Sequence, residues 1–148
     1  MSNADSQPTV LSIDPGRVKC GVAVVAADEV VRSRSVVPTE TLCAALSSGI
    51  ATFAPIAVIV GCGTGCKEMI RRLEQAASPV PVYEVEEAYT SEEARKRWVQ
   101  DNPPMGLQRL LPQSLRCPDA PYDDYVAIIL AERWWRQQHI SAQNESAF

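Results

Sequence analysis

Short apolar runs rich in β-branched residues alternate with stretches of helical periodicity, and their order constrains the fold more than any other feature. Three such runs follow one another with no helical stretch between them, which predicts an antiparallel meander. The later runs are separated by helical stretches, which is the pattern of parallel strands joined by helices. The predicted strands are 9–14, 20–26, 30–37, 56–60 and 80–85. The predicted helices are 39–53, 66–77, one that begins near residue 90, and one that begins at Asp119 or Pro121 and ends near Gln138.

The length and composition fit a single domain with one core. The chain has 148 residues, of which 46% are hydrophobic and 22% are charged, and a domain of this size buries enough surface to fold alone. We expect that domain to cover residues 9–139, between flexible polar tails at 1–8 and 140–148. The sequence has neither an apolar stretch of roughly 20 residues nor a signal-peptide pattern, so we expect a cytoplasmic protein that does not bind membranes. The five cysteines are an odd number, and we expect them to be reduced thiols.

The predicted order of elements resembles that of the ribonuclease H-like fold. In that fold an antiparallel meander leads into parallel strands, and helices cover the sheet. The resemblance implies an α/β protein with a central mixed five-stranded sheet and helices on both of its faces.

Acidic residues stand at the ends of three predicted elements. Taken singly, each group is explained as readily by a turn or a helix cap. Ligands of α/β sheets bind at the carboxyl ends of the strands, so we expect the three groups to face one crevice. Carboxylate oxygens are ligands for hard cations, and the cluster therefore predicts one or two Mg²⁺ or Mn²⁺ ions. The acids are Asp14 at the end of the first strand, Glu84, Glu86 and Glu87 at the end of the fifth, and Asp123 and Asp124 in the last helix.

Three segments in this order resemble the motifs of the RuvX/YqgF family of Holliday-junction-resolvase-like nucleases, which are related to the RuvC resolvases. The first is Asp14-Pro15-Gly16 with Gly21-Val22-Ala23, the second runs from Val85 to Ala94, and the third from Asp123 to Leu130. The resemblance implies that Asp14, Glu87 and Asp123 are the metal-binding catalytic acids. By the RuvC pattern the third ligand is instead Asp124.

Besides the adjacent aspartates, the chain departs from the patterns of these two groups of proteins at two places. The family's Asp-Glu-Arg stretch is Glu86-Glu87-Ala88 here, so an arginine that would contact phosphate is missing. The fourth predicted strand ends in Gly61-Cys62-Gly63, where RuvC resolvases carry an acid. The second carboxylate must therefore come from Glu87.

Glycines and cations near the acids are the candidate substrate contacts. A glycine after Asp14 permits close approach of a ligand to the backbone. The turn 61–65 ends at a helix N-terminus, where amides and a hydroxyl can hold a phosphate, although a turn with no ligand fits the pattern equally well. Cations that border the proline-rich loop 102–121 form either a basic rim or a solvated helix face. The candidates are Gly16, Arg17, Lys19, Thr64, Gly65 and Arg95.

The acids and the resemblance together predict a divalent-metal-dependent nuclease that hydrolyses phosphodiester bonds of structured nucleic acid. Two ions at such a site activate water and stabilise the leaving oxygen. The resemblance implies either 5′ maturation of pre-16S rRNA or Holliday junction resolution on branched DNA. We favour RNA, because a resolvase needs two sites in a symmetric dimer and the sequence indicates no strong dimerisation surface. The chain is expected to be a monomer or a homodimer.

Two other classes of function stay open. A nucleic-acid-binding module without activity would keep the fold and part of the acid set. The Asp-Pro-Gly segment also resembles the phosphate loop of actin-like ATPases, but these need two such domains.

The net charge of −4 argues against a uniformly basic nucleic-acid surface, whereas acids that bind metal would leave basic rims. The chain has one histidine, His139 near the C-terminus, so a Ser-His or Cys-His nucleophile is not expected.

Overall fold

The computed structural model describes residues 7–61, 66–85, 94, 96, 97, 100 and 123–146. The strands are β1 (Thr9–Asp14), β2 (Lys19–Ala26), β3 (Val31–Pro38), β4 (Ala57–Gly61) and β5 (Val82–Val85). A 3-10 turn over Thr39–Thr41 leads into the first of the helices, which are α1 (Leu42–Phe53), α2 (Lys67–Ala77) and α3 (Asp123–Ser146).

The strands form one mixed sheet with the order β3-β2-β1-β4-β5. The strands β1, β2 and β3 are antiparallel neighbours, whereas β4 is parallel to β1 and β5 is parallel to β4. The meander arises because short turns join the first three strands, while each parallel pair needs a helical crossover. The prediction of a mixed five-stranded sheet is confirmed.

One face of the sheet is covered by α1 and α2. Leu11 and Ile13 of the central strand β1 pack here with Leu46 of α1 and Leu73 of α2, and all four are almost completely buried. Each such side chain contributes roughly 1.5–3 kcal/mol on burial. The helix α1 approaches closely because it has Gly49 at the contact, where a Cβ atom would collide with a methyl group of Leu11.

The opposite face is covered by α3. Ala127, Ile128 and Trp135 pack against alternate residues of the sheet such as Val10, as the period-two geometry of a strand requires. The indole Nε1 of Trp135 donates to the carbonyl oxygen of Val25 at 3.1 Å, so the polar atom of this buried ring has a partner. Helices thus lie on both faces of the sheet, as predicted.

The last helix is longer than the sequence predicts. It continues beyond Gln138 to Ser146, although the stretch is polar. Two contacts hold its later turns to the β2–β3 connection: Arg136 pairs with Glu29 at 3.0 Å, and a ring nitrogen of His139 lies 3.3 Å from the carbonyl oxygen of Ala27. Within the described residues, no helix is long and apolar enough to cross a membrane.

The structure tests two other predictions only in part. Most of the helix expected near residue 90 lies outside the described residues, although Ala94, Lys96, Arg97 and Gln100 are helical. The expectation of reduced thiols holds for Cys20 and Cys43. It is wrong for Cys66, which is disulfide-bonded. Spacing alone does not reveal such a bond, because its formation depends on the approach of a second thiol.

Candidate active site

Asp14 is the last residue of β1 and lies at the carboxyl end of the parallel strands. It pairs with Gly21 of β2, and the residue before it pairs with Val60 near the end of β4. Asp14 is 9% exposed. A carboxylate in such a place is costly unless positive charge or hydrogen bonds compensate it. The strand end therefore holds a largely buried carboxylate, whose oxygens are ligands of the kind that hard cations prefer.

The loop after Asp14 has little freedom to move. A Cβ atom at Gly16 would collide with the backbone carbonyl of Lys19, so the turn requires glycine there. The hydroxyl of Thr39 donates to the carbonyl oxygen of Gly16 at 2.9 Å, and the Thr39 amide donates to the Val18 carbonyl oxygen at 2.9 Å. These bonds tie the loop to the end of β3, so that the backbone beside Asp14 is fixed before any ligand binds.

Two predicted substrate contacts, Arg17 and Lys19, lie on the solvent side of this loop. Both are exposed, and Val18 between them is 80% exposed. The positive charges of this loop suit an anionic ligand. Because the loop is already held by its hydrogen bonds, its backbone loses little conformational entropy when a ligand binds.

Two contacts set the direction in which α3 crosses the sheet. Trp135 contacts Val25, at the end of β2 far from Asp14. Asp124 contacts Arg34 of β3, which lies nearer to the Asp14 end. At 1.5 Å per residue, the helix between Asp124 and Trp135 is about 16 Å long. The N-terminus of α3, with its two aspartates, therefore lies toward the end of the sheet that carries Asp14.

Asp124 is held on the β3 side of this helix start. Its side chain is 14% exposed, and Oδ2 lies 3.9 Å from the Arg34 Nε. Its Oδ1 accepts a hydrogen bond from the amide of Tyr125 at 3.1 Å. The first turn of a helix favours negative charge, so this carboxylate is stabilised by the helix as well as by the arginine. Asp123 is the first residue of α3, and its side chain lies outside what the structure describes.

The structure thus brings three of the predicted segments toward one end of the sheet: Asp14, the loop with Gly16, Arg17 and Lys19, and the start of α3. The remaining candidates, Glu87, Thr64, Gly65 and Arg95, lie outside the described residues. Among the described residues alone, no three acidic, histidine or cysteine side chains form a metal-binding group. The assembly of the full acid set therefore stays a prediction.

Sequence reasoning missed the role of Arg34. The alternation of Arg32 and Arg34 in the sequence predicts only that the two side chains share a face of the strand. In the structure the Arg34 guanidinium is 4.9 Å from the centre of the Tyr125 ring as well as close to Asp124. Arg34 pairs with Ala23 of β2, and Ala23 packs on the α3 side of the sheet, so the side chain of Arg34 is on the face that α3 covers.

Ser12 is a second residue that the sequence did not single out. It precedes Asp14 by two positions, so both side chains are on the α3 face of β1. Ser12 is completely buried, and within the described part of the chain its hydroxyl is the buried side-chain polar group that has no hydrogen-bond partner. Such a group costs about 1–3 kcal/mol in desolvation.

Comparison with known proteins gives a match in fold only. No protein-family model matches the chain, and no curated protein does. A solved structure of T. thermophilus RuvC in complex with a Holliday junction substrate superposes with a TM-score of 0.51 at 19% identity, covering 84% of this chain and 90% of that one. A second Thermus thermophilus RuvC structure covers 83% of this chain and 90% of its own, with a TM-score of 0.49 at 19% identity.

The chain therefore has the ribonuclease H-like fold that RuvC also has, and that prediction is confirmed. At this identity the likeness extends to the fold alone. Membership of the RuvX/YqgF family stays a prediction.

Proposed function

We propose that the protein is a divalent-metal-dependent nuclease that hydrolyses phosphodiester bonds of structured nucleic acid in the cytoplasm. One observation carries the proposal. On a ribonuclease H-like fold, the buried carboxylate of Asp14 ends the central strand, and the N-terminus of α3 with Asp123 and Asp124 lies toward the same end of the sheet.

The residues available at this end fit Mg²⁺ or Mn²⁺ in their chemistry. Asp14, Glu87 and Asp123 or Asp124 offer hard carboxylate oxygens, which these ions prefer over softer ligands. When bound, such ions generate a nucleophile from water and stabilise the charge that develops at phosphorus and on the leaving oxygen. Asp14 serves as a fixed ligand, because a strand end and a tied loop hold its backbone.

We further propose that Asp123, and not Asp124, is the ligand shared with Asp14. Helical position 123 is two turns before Leu130, which packs on Gly61 at the end of β4. Position 124 is one turn before Ile128, which lines the β3 side of the helix with Arg34. Because β4 is the neighbour of β1 and β3 is not, this arrangement supports Asp123 as the metal ligand and assigns Asp124 to Arg34.

The substrate is proposed to be RNA, with 5′ maturation of pre-16S rRNA as the process, on the resemblance of the three sequence motifs. A second candidate is the resolution of branched DNA. It is favoured by one observation, the likeness in fold to a RuvC that was solved with a Holliday junction substrate.

The test is cleavage of end-labelled single-stranded RNA, an rRNA-precursor hairpin and a four-way DNA junction, each with Mg²⁺, Mn²⁺ or EDTA. The wild type is compared with Asp14→Asn and with Glu74→Gln, which removes an exposed carboxylate from α2 on the other face of the sheet. We expect metal-dependent cutting by the wild type and Glu74→Gln but not by Asp14→Asn. The preferred substrate separates RNA processing from junction resolution, and no cutting of any substrate would favour a binding module.

A further inference from the structure

A cavity of about 370 Å³ opens between β3 and α3, beside the start of the helix. Three arginines line it, and among the described lining residues there is no acid. Its other walls include the ring of Tyr125 and the side chain of Ile128. We call it the arginine cavity, and its cationic side chains are Arg32, Arg34 and Arg97.

The arginines reach the cavity from two separate elements. Arg32 and Arg34 alternate on β3 and so share a face, while Arg97 lies in the segment before α3. Their side chains are 22%, 49% and 38% exposed in that order. Long side chains of this kind place their stems against apolar surface and their guanidinium groups toward water. A solute in the cavity would therefore meet guanidinium groups on more than one side.

Each of the three arginines pairs with an acidic side chain. Arg97 donates through Nη1 to Oε1 of Glu132 at 2.6 Å. The Glu132 side chain is only 10% exposed, and its second oxygen lies 3.6 Å from Arg136. Asp124 forms an ion pair with Arg34 at 3.9 Å, and its side chain is 14% exposed. The third acid, Asp28, lies 4.0 Å from Arg32 and is 36% exposed. Arg34 and Arg97 are therefore more exposed than their own acidic partners, and their guanidinium groups are the charges that a ligand can reach.

The contact of Arg34 with Asp124 is an ion pair that is longer than a hydrogen bond. The Tyr125 ring, at 4.9 Å, supports the same guanidinium from one side. An arginine that is positioned in this way loses little entropy when it binds a planar or tetrahedral anion by two parallel hydrogen bonds.

We infer that the arginine cavity binds a backbone phosphate of the nucleic-acid strand that enters the proposed active site. The inference rests on the proposed function and adds to it a place where the strand is held. The position supports this, because the cavity begins at Tyr125, directly after the two aspartates of α3. The arginines recognise phosphodiester, which RNA and DNA share, so they set the path of the strand and not its sequence.

The test is the binding of a fluorescently labelled rRNA-precursor hairpin and a four-way DNA junction, measured by anisotropy in EDTA over a range of salt. The double variant Arg32→Gln/Arg34→Gln is compared with Arg71→Gln/Arg72→Gln. The control double removes the same charge from exposed positions of α2 on the opposite face. Thermal unfolding of each variant shows that it is folded.

We expect the cavity double to bind about tenfold more weakly than the control double, with a salt slope that is smaller by about one. The single variant Arg34→Lys keeps the charge but loses the forked hydrogen-bonding geometry of the guanidinium group. We expect its affinity to lie between those of the cavity double and the wild type. Such a loss of affinity in the cavity double, with either labelled molecule, supports the inference, because both carry the phosphodiester group. Equal affinity and equal slope for the two doubles would overturn the inference, as would a wild type that binds neither molecule.

The failure of this inference is distinguishable from failure of the proposed function. Binding is measured without metal, whereas the nuclease proposal is tested by cleavage with metal. A wild type that binds through the cavity but cuts nothing would contradict only the nuclease. A wild type that cuts, with cavity and control doubles that bind alike, would contradict only the cavity.

Discussion

Replacement of Gly61 by alanine tests how α3 is placed over the end of the sheet. A Cβ atom at position 61 would collide with one methyl group of Leu130, and would lie 3.0 Å from the second methyl and 3.2 Å from Cγ. Leu130 is completely buried and cannot swing into solvent. Overpacking of this kind costs about 1–3 kcal/mol, which lowers the melting temperature by about 2–4 °C per kcal/mol in a domain of roughly this size.

Urea unfolding of Gly61→Ala, Leu130→Ala and the double variant measures the effect. Leu130→Ala alone should cost about 2–5 kcal/mol through the void that it leaves. The double variant should cost less than the sum of the two by about 0.5–3 kcal/mol, because the new methyl group fills part of that void and meets no clash. Additive losses, or a Gly61→Ala protein as stable as the wild type, would refute the close contact between α3 and the end of β4.

Three further predictions concern stability and the loop beside Asp14. Arg97→Gln should destabilise the protein by about 1–3 kcal/mol in urea, and more than Glu132→Gln does, because it takes the closest partner from a buried carboxylate; the opposite ranking would contradict this. Ser12→Ala should leave the free energy of unfolding unchanged or raise it, since the lost hydroxyl has no partner among the described residues, and a loss above about 1 kcal/mol would reveal one. Thr39→Val removes the bond to Gly16 and should cost about 1 kcal/mol and weaken substrate binding, seen as a raised KM; an unchanged KM would show that the loop needs no tether.

Most of the fold follows from local patterns in the sequence. The first strand was predicted with the bounds that the structure has, because an apolar β-branched run that ends in Asp-Pro-Gly leaves few alternatives to a buried strand and a turn. The meander and the parallel strands also follow, since they depend on whether a helix separates consecutive strands.

The later turns of α3 could not be predicted in this way. Residues after Gln138 are polar and resemble a tail, yet the helix continues because Arg136 and His139 contact residues of the β2–β3 connection. Such contacts join positions far apart in the chain, and helical propensity does not encode them. The disulfide of Cys66 was not predicted for a related reason, since spacing along the chain does not show which thiols approach each other.

The residues of the candidate site were likewise predicted only in part. Asp14 was predicted, because a strand end is readable and the end of a central strand is where α/β sheets bind ligands. Arg34 was not identified as part of the site. A period-two pattern gives the face of the sheet but does not say which helix residue lies above it, and the contact with Asp124 depends on how α3 is placed.

The measurement that tests the account most directly is the rate of Mn²⁺- or Mg²⁺-dependent cleavage by Asp14→Asn relative to Glu74→Gln, on whichever substrate the wild type cuts best. Loss of a metal ligand removes several kcal/mol of transition-state stabilisation, so we expect Asp14→Asn to be slower by more than about 100-fold, with Glu74→Gln close to the wild type. Equal rates for the two variants would contradict a catalytic centre at the end of β1.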